Sequence, residues 1–179
     1  MTRYVAFLRA INVGGHVVKM NVLKEQFEKL GLAKVETFIA SGNVIFESRS
    51  KDTAALEGRI ERALAAALGY EVATFIRSVA EVHAIVRYEP FPRALLDTAA
   101  ALNVGMLKAP LEKDDRDGLV RLRTDIDDFH ANGAQLFWVC KKRQSESKVS
   151  KAMFERTLKG NATFRSIKTM ERLAAKYPV

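Results

Sequence analysis

Near its start the chain carries the run Tyr4-Val5-Ala6-Phe7-Leu8-Arg9-Ala10-Ile11, which is apolar at both alternating sets of positions except for Arg9. Strand side chains alternate between faces, so this run has no side that tolerates water. It fits only as a central strand of a sheet covered on both faces. Asn12, Gly14 and Gly15 come immediately after it, and glycines there permit positive φ or the close approach of a ligand or a second backbone. Arg9, at the carboxyl end of the strand, reaches toward that loop, and such ends are where open α/β sheets bind ligands. The structural alternative is an Arg9 paired with an internal carboxylate and glycines that only turn the chain.

The rest of the first half supplies partners for that strand. Asn21 is positioned to cap a helix through about Leu30, with Leu23, Phe27 and Leu30 on one face and Gly31 closing it. Strands at about Val35 to Ala40 and Val44 to Glu47 meet across Ser41-Gly42-Asn43, a short polar turn suited to a hairpin. A helix from Thr53 to Leu68 then presents Leu56, Ile60, Leu64 and Leu68, and a strand runs from Val72 to Arg77. The order β, α, β, β, α, β predicts a split β-α-β, ferredoxin-like lobe. Ser78 and Glu81 form a capping box for a further helix through about Arg87.

Tyr88-Glu89-Pro90-Phe91-Pro92 breaks the pattern and marks a join, giving lobes of residues 1–88 and 89–179. The second half is expected to hold a strand at Ala101 to Leu107, a charged helix near Glu112 to Leu122, and strands at about Ile126 to Ala131 and Gln135 to Cys140. A helix from about Ser147 to Leu158, a short extended piece and a last helix from about Thr169 to Lys176 complete it. Its hairpin reads DFHANGAQLF against TFIASGNVIF in the first half, with Phe38/Phe129, Ala40/Ala131, Gly42/Gly133 and Phe46/Phe137 in register. The fold expected is therefore α+β: two ferredoxin-like lobes with antiparallel sheets, pseudo-duplicated.

The net charge of +8 is unevenly spread: residues 1–140 hold 18 Lys/Arg and 18 Asp/Glu, whereas residues 141–179 hold 11 Lys/Arg against Glu146, Glu155 and Glu171. That imbalance favours a polyanionic or phosphorylated partner, although a solvated helix face produces it too. No apolar run approaches the ~18 residues of a membrane span, and Arg9 interrupts what a secretory leader requires. A cytoplasmic protein with no membrane partner is expected. Cys140 is the only cysteine, and its setting, LFWVC, reads as a strand interior.

The remaining candidates for chemistry are sparse. His16, His83 and His130 lie far apart without metal-ligand spacing, and the chain lacks GxSxG, GxxxxGK[ST] and GxGxxG motifs. Neither a metal nor a cofactor is expected. Asp114, Asp115, Asp117 and Asp125, Asp127, Asp128 do not match EF-hand spacing and read as solvated turn and helix charges. Ser41, Gly42 and Asn43 place hydroxyl and amide donors beside the first strand, or serve turn geometry alone. Ser147 and Lys148, at a predicted helix start, suit a phosphate or carboxylate, and Thr163 and Arg165 add donors downstream.

RAINVGG, a helix after it that ends in Leu30-Gly31, and SGNVIF resemble the opening signature of a bacterial family, the domain of unknown function numbered 1697. Ser147-Lys148 and Thr163-x-Arg165 are similar to its C-terminal pattern. The resemblance implies ferredoxin-like lobes but no activity, and it highlights Arg9, Asn12, Gly14, Gly15, Ser41, Gly42, Asn43, Ser147, Lys148, Thr163, Arg165 and Thr169. Where that family has Asn-Trp after the arginine, this chain has Ser166-Ile167, which removes a stacking aromatic. The functional expectation is binding of an anionic, phosphate-bearing ligand: a metabolite, a nucleotide or a nucleic-acid backbone. The alternatives are an enzyme acting on a phosphorylated or carboxylated small molecule, with His16 or Glu47 as base, and a subunit docking an acidic partner through its basic C-terminal region.

Overall fold

Strand β1 (Thr2–Leu8) pairs antiparallel with β3 (Asn43–Ser48) on one side and β4 (Thr74–Ser78) on the other, with β2 (Ala33–Thr37) outside β3. This is a computed structural model, and it describes residues 1–9, 11, 15–39 and 42–179, the side chain of Lys151 excepted. The order β2-β3-β1-β4 makes the doubly apolar run central, as its lack of a wet face demands. Helices α1 (Met20–Lys29) and α2 (Thr53–Leu68) cover one face. There Tyr4, Ala6 and Leu8 meet Leu23, Phe27, Leu56, Ile60 and Leu64. Val5, Phe7, Ile45 and Phe75, on the other face, are equally closed to solvent.

The two helices start differently from one another. Asp52 caps α2 by accepting from the Ala55 N–H, whereas Lys19 stands at the start of α1 with no side-chain cap. Asn21, the expected cap, lies inside the helix. The capping box of α3 (Val79–Arg87) is present: the Ser78 N–H donates to Glu81 Oε2 and the Glu81 N–H donates to Ser78 Oγ.

The second sheet repeats the first. Its order is β6-β7-β5-β8, from β5 (Ala101–Leu107), β6 (Asp127–Asn132), β7 (Gln135–Cys140) and β8 (Ala162–Ser166). The last is a full edge strand rather than the short extended piece that the sequence suggests. Helices α5 (Lys113–Arg121) and α6 (Lys151–Leu158) bury Leu119, Phe154 and Leu158 against Leu107, Leu136 and Trp138. A short helix, α4 (Arg93–Thr98), comes after Pro92, and α7 (Ile167–Lys176) closes the chain. The molecule is thus an α+β protein of two similar ferredoxin-like lobes.

The two registers show how the halves correspond. The Leu8 N–H donates to Gly42 O (2.8 Å) and the Leu107 N–H to Ala134 O (2.9 Å), while Phe7 pairs with Asn43 and Met106 with Gln135. Gly42 therefore answers to Ala134, and Phe46 to Trp138. The ungapped match of Phe46 with Phe137 is one residue off, because the second hairpin turns in two residues. A one-residue slip reverses faces, and Phe46 lies in the helix-side core of its sheet whereas Phe137 does not.

By packing, the chain forms two compact units, residues 1–84 with 173–179, and residues 85–172. The sequence boundary at 88/89 leaves the end of the chain in the second half. The structure groups it with the first.

Candidate functional site

Beyond Leu8 the strand pairing ends, but Arg9 and Ile11 remain tied to the segment that leads into β4. The Arg9 N–H donates to Ala73 O at 2.9 Å, and Ile11 O accepts from the Tyr70 hydroxyl at 3.1 Å. Arg9 is half-buried and lines a groove of about 470 Å3 between the end of β1, α2 and the residues entering β4. Glu61, Arg62 and Glu71 share that lining, so the groove carries both signs of charge. His16 is exposed and stacks on Tyr70, with ring centroids 4.0 Å apart.

The hairpin connection at this end is built around Gly42. Its φ is +79°, and a Cβ there would meet Ile11 Cγ2 at 2.8 Å and Leu8 Cβ at 3.2 Å, so only glycine lets the two loops touch. Ile39 also has positive φ, +57°, a conformation that a β-branched residue adopts only under constraint. Asn43 is fully buried: its Nδ2 donates to Phe38 O at 3.0 Å while the Phe38 N–H donates to Asn43 O at 2.9 Å. Asn43 therefore ties the neck of the 38–42 loop. Gly15 is in the left-handed region, with φ of +82°. Asn12, Gly14 and Ser41 lie outside the described residues.

The C-terminal candidates belong to the second unit, where several have internal roles. Helix α6 begins at Lys151, and Ser150 caps it by accepting from the Met153 N–H; Ser147 is not the cap. The Ser147 hydroxyl instead points to the Asp127 carboxylate, 2.9 Å from each oxygen. Asp127 also accepts from Trp138 Nε1 (2.8 Å), Thr124 Oγ1 (2.7 Å) and Cys140 Sγ (3.4 Å). It is 1% exposed, which corrects its reading as a solvated turn charge. Burial pushes its pKa up, but those four donors outweigh burial and hold it below the ordinary value. Burial next to that carboxylate pushes the Cys140 thiol up to about 12, so it is not a thiolate at neutral pH.

Thr163 and Arg165 sit in β8, with Arg165 Nη1 donating to Thr163 Oγ1 (3.0 Å) and Phe164 O (2.9 Å). Burial lowers the Arg165 pKa to about 10. Its place in the repeat is that of Arg77: Val104 pairs with Arg165 as Val5 pairs with Arg77, and Arg77 Nη1 donates to Ile76 O in the same manner. An arginine drawn in toward the protein at the end of the last strand is thus a feature of both lobes. Lys141, Lys142, Arg143 and Lys148, by contrast, are open to solvent.

Glu47, the carboxylate considered as a base, lies toward the far end of β3 from the 38–42 loop. Arg3 (2.9 Å) and Lys34 (3.2 Å) bond its Oε1 and hold its pKa below the usual carboxylate range. No group of three or more His, Cys, Asp or Glu among the described residues is arranged to hold a metal ion. No helix among them is long and apolar enough to cross a membrane.

Sequence reasoning missed the buried hub at Asp127. The alternation Asp127-x-Phe129, opposite Trp138 and Cys140, was the available signal, since it puts the carboxylate on the core face of an edge strand. A model for a family described as a protein of unknown function, DUF1697, matches residues 1–137. A solved structure of a conserved bacterial protein from Streptococcus pneumoniae is similar over 98% of this chain and 98% of that one, with 26% identity and a TM-score of 0.79. No curated protein matches the sequence.

Proposed function

This chain belongs to the DUF1697 family of proteins of unknown function, and from the geometry of its first unit we propose that it binds an anionic, phosphate-bearing ligand at the loop end of β1. One observation carries the reading. The two lobes repeat strand for strand, yet at this end the first has eleven residues between β1 and α1 (9–19) where the second has five between β5 and α5 (108–112). Its hairpin connection has five residues (38–42) where the second has two (133–134). The fold closes without that extra chain in the second lobe. In the first, the extra chain carries Arg9, Asn12, Gly14, Gly15, Ser41 and Gly42, with Asn43 at its root.

Such a set is rich in donors: a guanidinium, glycine-flanked amide N–H groups, an amide and a hydroxyl suit phosphate oxygens. A second reading, an enzyme acting on a phosphorylated or carboxylated small molecule, draws on His16, exposed and held against Tyr70 in the same loop. Turnover of a phosphoester that disappears in His16→Ala, with binding retained, would establish it.

The test is a thermal-shift and calorimetric screen of inorganic phosphate, pyrophosphate, nucleotides and short oligonucleotides at two salt concentrations, on wild type and Arg9→Ala. A phosphate compound should stabilise the wild type and bind Arg9→Ala about tenfold more weakly, the effect of one charge-assisted contact. If the partner is a nucleic-acid backbone, affinity should fall steeply with salt. Equal binding by Arg9→Ala, or none by wild type across the screen, overturns the reading.

A further inference from the structure

The helices that come after the last strand of each lobe leave a matched pair of contacts. Ser78 and Ser166 occupy the same position, one residue past Arg77 and Arg165, and each hydroxyl accepts from the N–H three residues on, Glu81 and Thr169. Ten residues past each serine stand Tyr88 and Lys176. The segment that begins at Ile85 belongs to the second unit, and the segment that begins at Leu173 belongs to the first. Each unit therefore carries the tail of the other repeat's helix.

The tails clasp equivalent points. In the second unit the Tyr88 hydroxyl and His130 Nε2 are 2.7 Å apart, and His130 pairs with Phe137 across the hairpin. In the first unit Lys176 Nζ bonds Glu36 Oε1, and Glu36 pairs with Ile45 at the corresponding position. Polar chemistry differs between the clasps while the place is the same.

The surroundings of the two clasps differ as well, because in the first unit the clasp sits two residues from the extended loop. The Lys176 ammonium lies 5.3 Å from the centre of the Phe38 ring and 5.2 Å from that of Tyr177. Tyr177 meets Phe38 edge-on at 6.2 Å. Tyr177 is held in turn: its carbonyl is 2.9 Å from His83 Nε2, the Arg3 guanidinium lies 6.0 Å from its ring centre, and it is buried. Phe38 is also the residue whose carbonyl and N–H are both bonded to Asn43 at the loop neck. The neck is gripped from inside by Asn43 and from outside by the tail.

We propose that residues 173–179 form a strap whose Lys176 and Tyr177 act as positioning residues for the 38–42 loop, setting the phosphate-binding conformation of the first unit. The strap's function rests on the phosphate-binding reading, and its mechanism on the contacts of Lys176 and Tyr177 with Phe38. The hairpin of the second unit, with a two-residue turn, needs no such support. There the equivalent clasp serves packing alone.

The test measures amide hydrogen exchange across residues 36–45 and pyrophosphate affinity in the full chain, in Lys176→Ala, Lys176→Arg and Glu36→Gln, with Tyr88→Phe as the control in the second unit. Lys176→Ala and Glu36→Gln should raise exchange in residues 36–45 about tenfold and weaken pyrophosphate several-fold, Lys176→Arg should restore both, and Tyr88→Phe should change neither. Unchanged exchange in Lys176→Ala overturns the strap. Raised exchange with unaltered pyrophosphate affinity overturns its positioning role. If the wild type binds no pyrophosphate, the ligand reading fails alone, and exchange still decides whether the tail holds the loop.

Discussion

Asp127 gathers hydrogen bonds from Thr124, Trp138, Cys140 and Ser147, and through Ser147 it fixes the start of the segment that leads into α6. Removing its carboxylate leaves an indole N–H and two hydroxyls without their acceptor. Asp127→Ala should therefore lower stability by about 3 kcal/mol, read as a fall in the urea midpoint at neutral pH. The pH dependence has a definite sign. Its folded pKa is below the ordinary value, so its contribution is complete above the unfolded value of about 3.9 and is lost as pH falls through the folded pKa. Asp127→Ala should flatten that acid limb of the stability curve.

At the scale of the element, β4 is an edge strand whose outward N–H groups are not left open. Two glutamates one turn apart on α2 accept from it, Glu57 from the Ile76 N–H and Glu61 from the Thr74 N–H, each at 2.8 Å. This closes an edge that would otherwise invite another strand. Glu57 is buried, so Glu57→Ala should destabilise by about 2 kcal/mol, and Glu57→Gln, which keeps an acceptor, by less. Chemical denaturation of the two variants side by side checks the difference; equal losses would mean that the hydrogen bond to β4 contributes nothing. The helices are legible from i, i+4 spacing because their apolar faces are continuous. The role of Ser147 is not, because a serine that caps a helix and a serine that bonds a buried carboxylate look the same until the strand holding Asp127 is in place.

At the scale of the molecule, duplication supplies two similar lobes, and the difference between them concentrates at one loop end and one pair of clasps. The clasp of the first unit is ionic: the Lys176 hydrogen bond lowers the Glu36 pKa, and the same bond raises that of Lys176. Both shifts mean that the ion pair contributes between the two folded pKa values. It is lost as pH falls through that of Glu36 and as pH rises through that of Lys176. Exchange of residues 36–45 should accordingly rise as pH falls through the folded pKa of Glu36, which is below the ordinary carboxylate value, after correction for the intrinsic rate, and Glu36→Gln should abolish that rise. The clasp of the second unit, a tyrosine on a histidine, has no carboxylate to titrate there.

The β, α, β, β, α, β order of the first lobe, the central place of β1 and the duplication were determined by the sequence alone, because apolar periodicity and glycine placement are local and each lobe obeys the same pattern; the short helix α4 and the full strand β8 carry no such pattern. The resemblance carried by RAINVGG and SGNVIF is of the same kind, a contiguous signature. Tertiary structure alone decided which polar groups are already bound to the protein itself: Arg165 by Thr163 and a carbonyl, Asn43 by the loop neck, Ser147 by Asp127. It also decided that the last residues return to the first unit and reach Phe38. A polar side chain is read as a candidate ligand until its neighbours are known, and those neighbours are brought to it by strand pairings that no local pattern records.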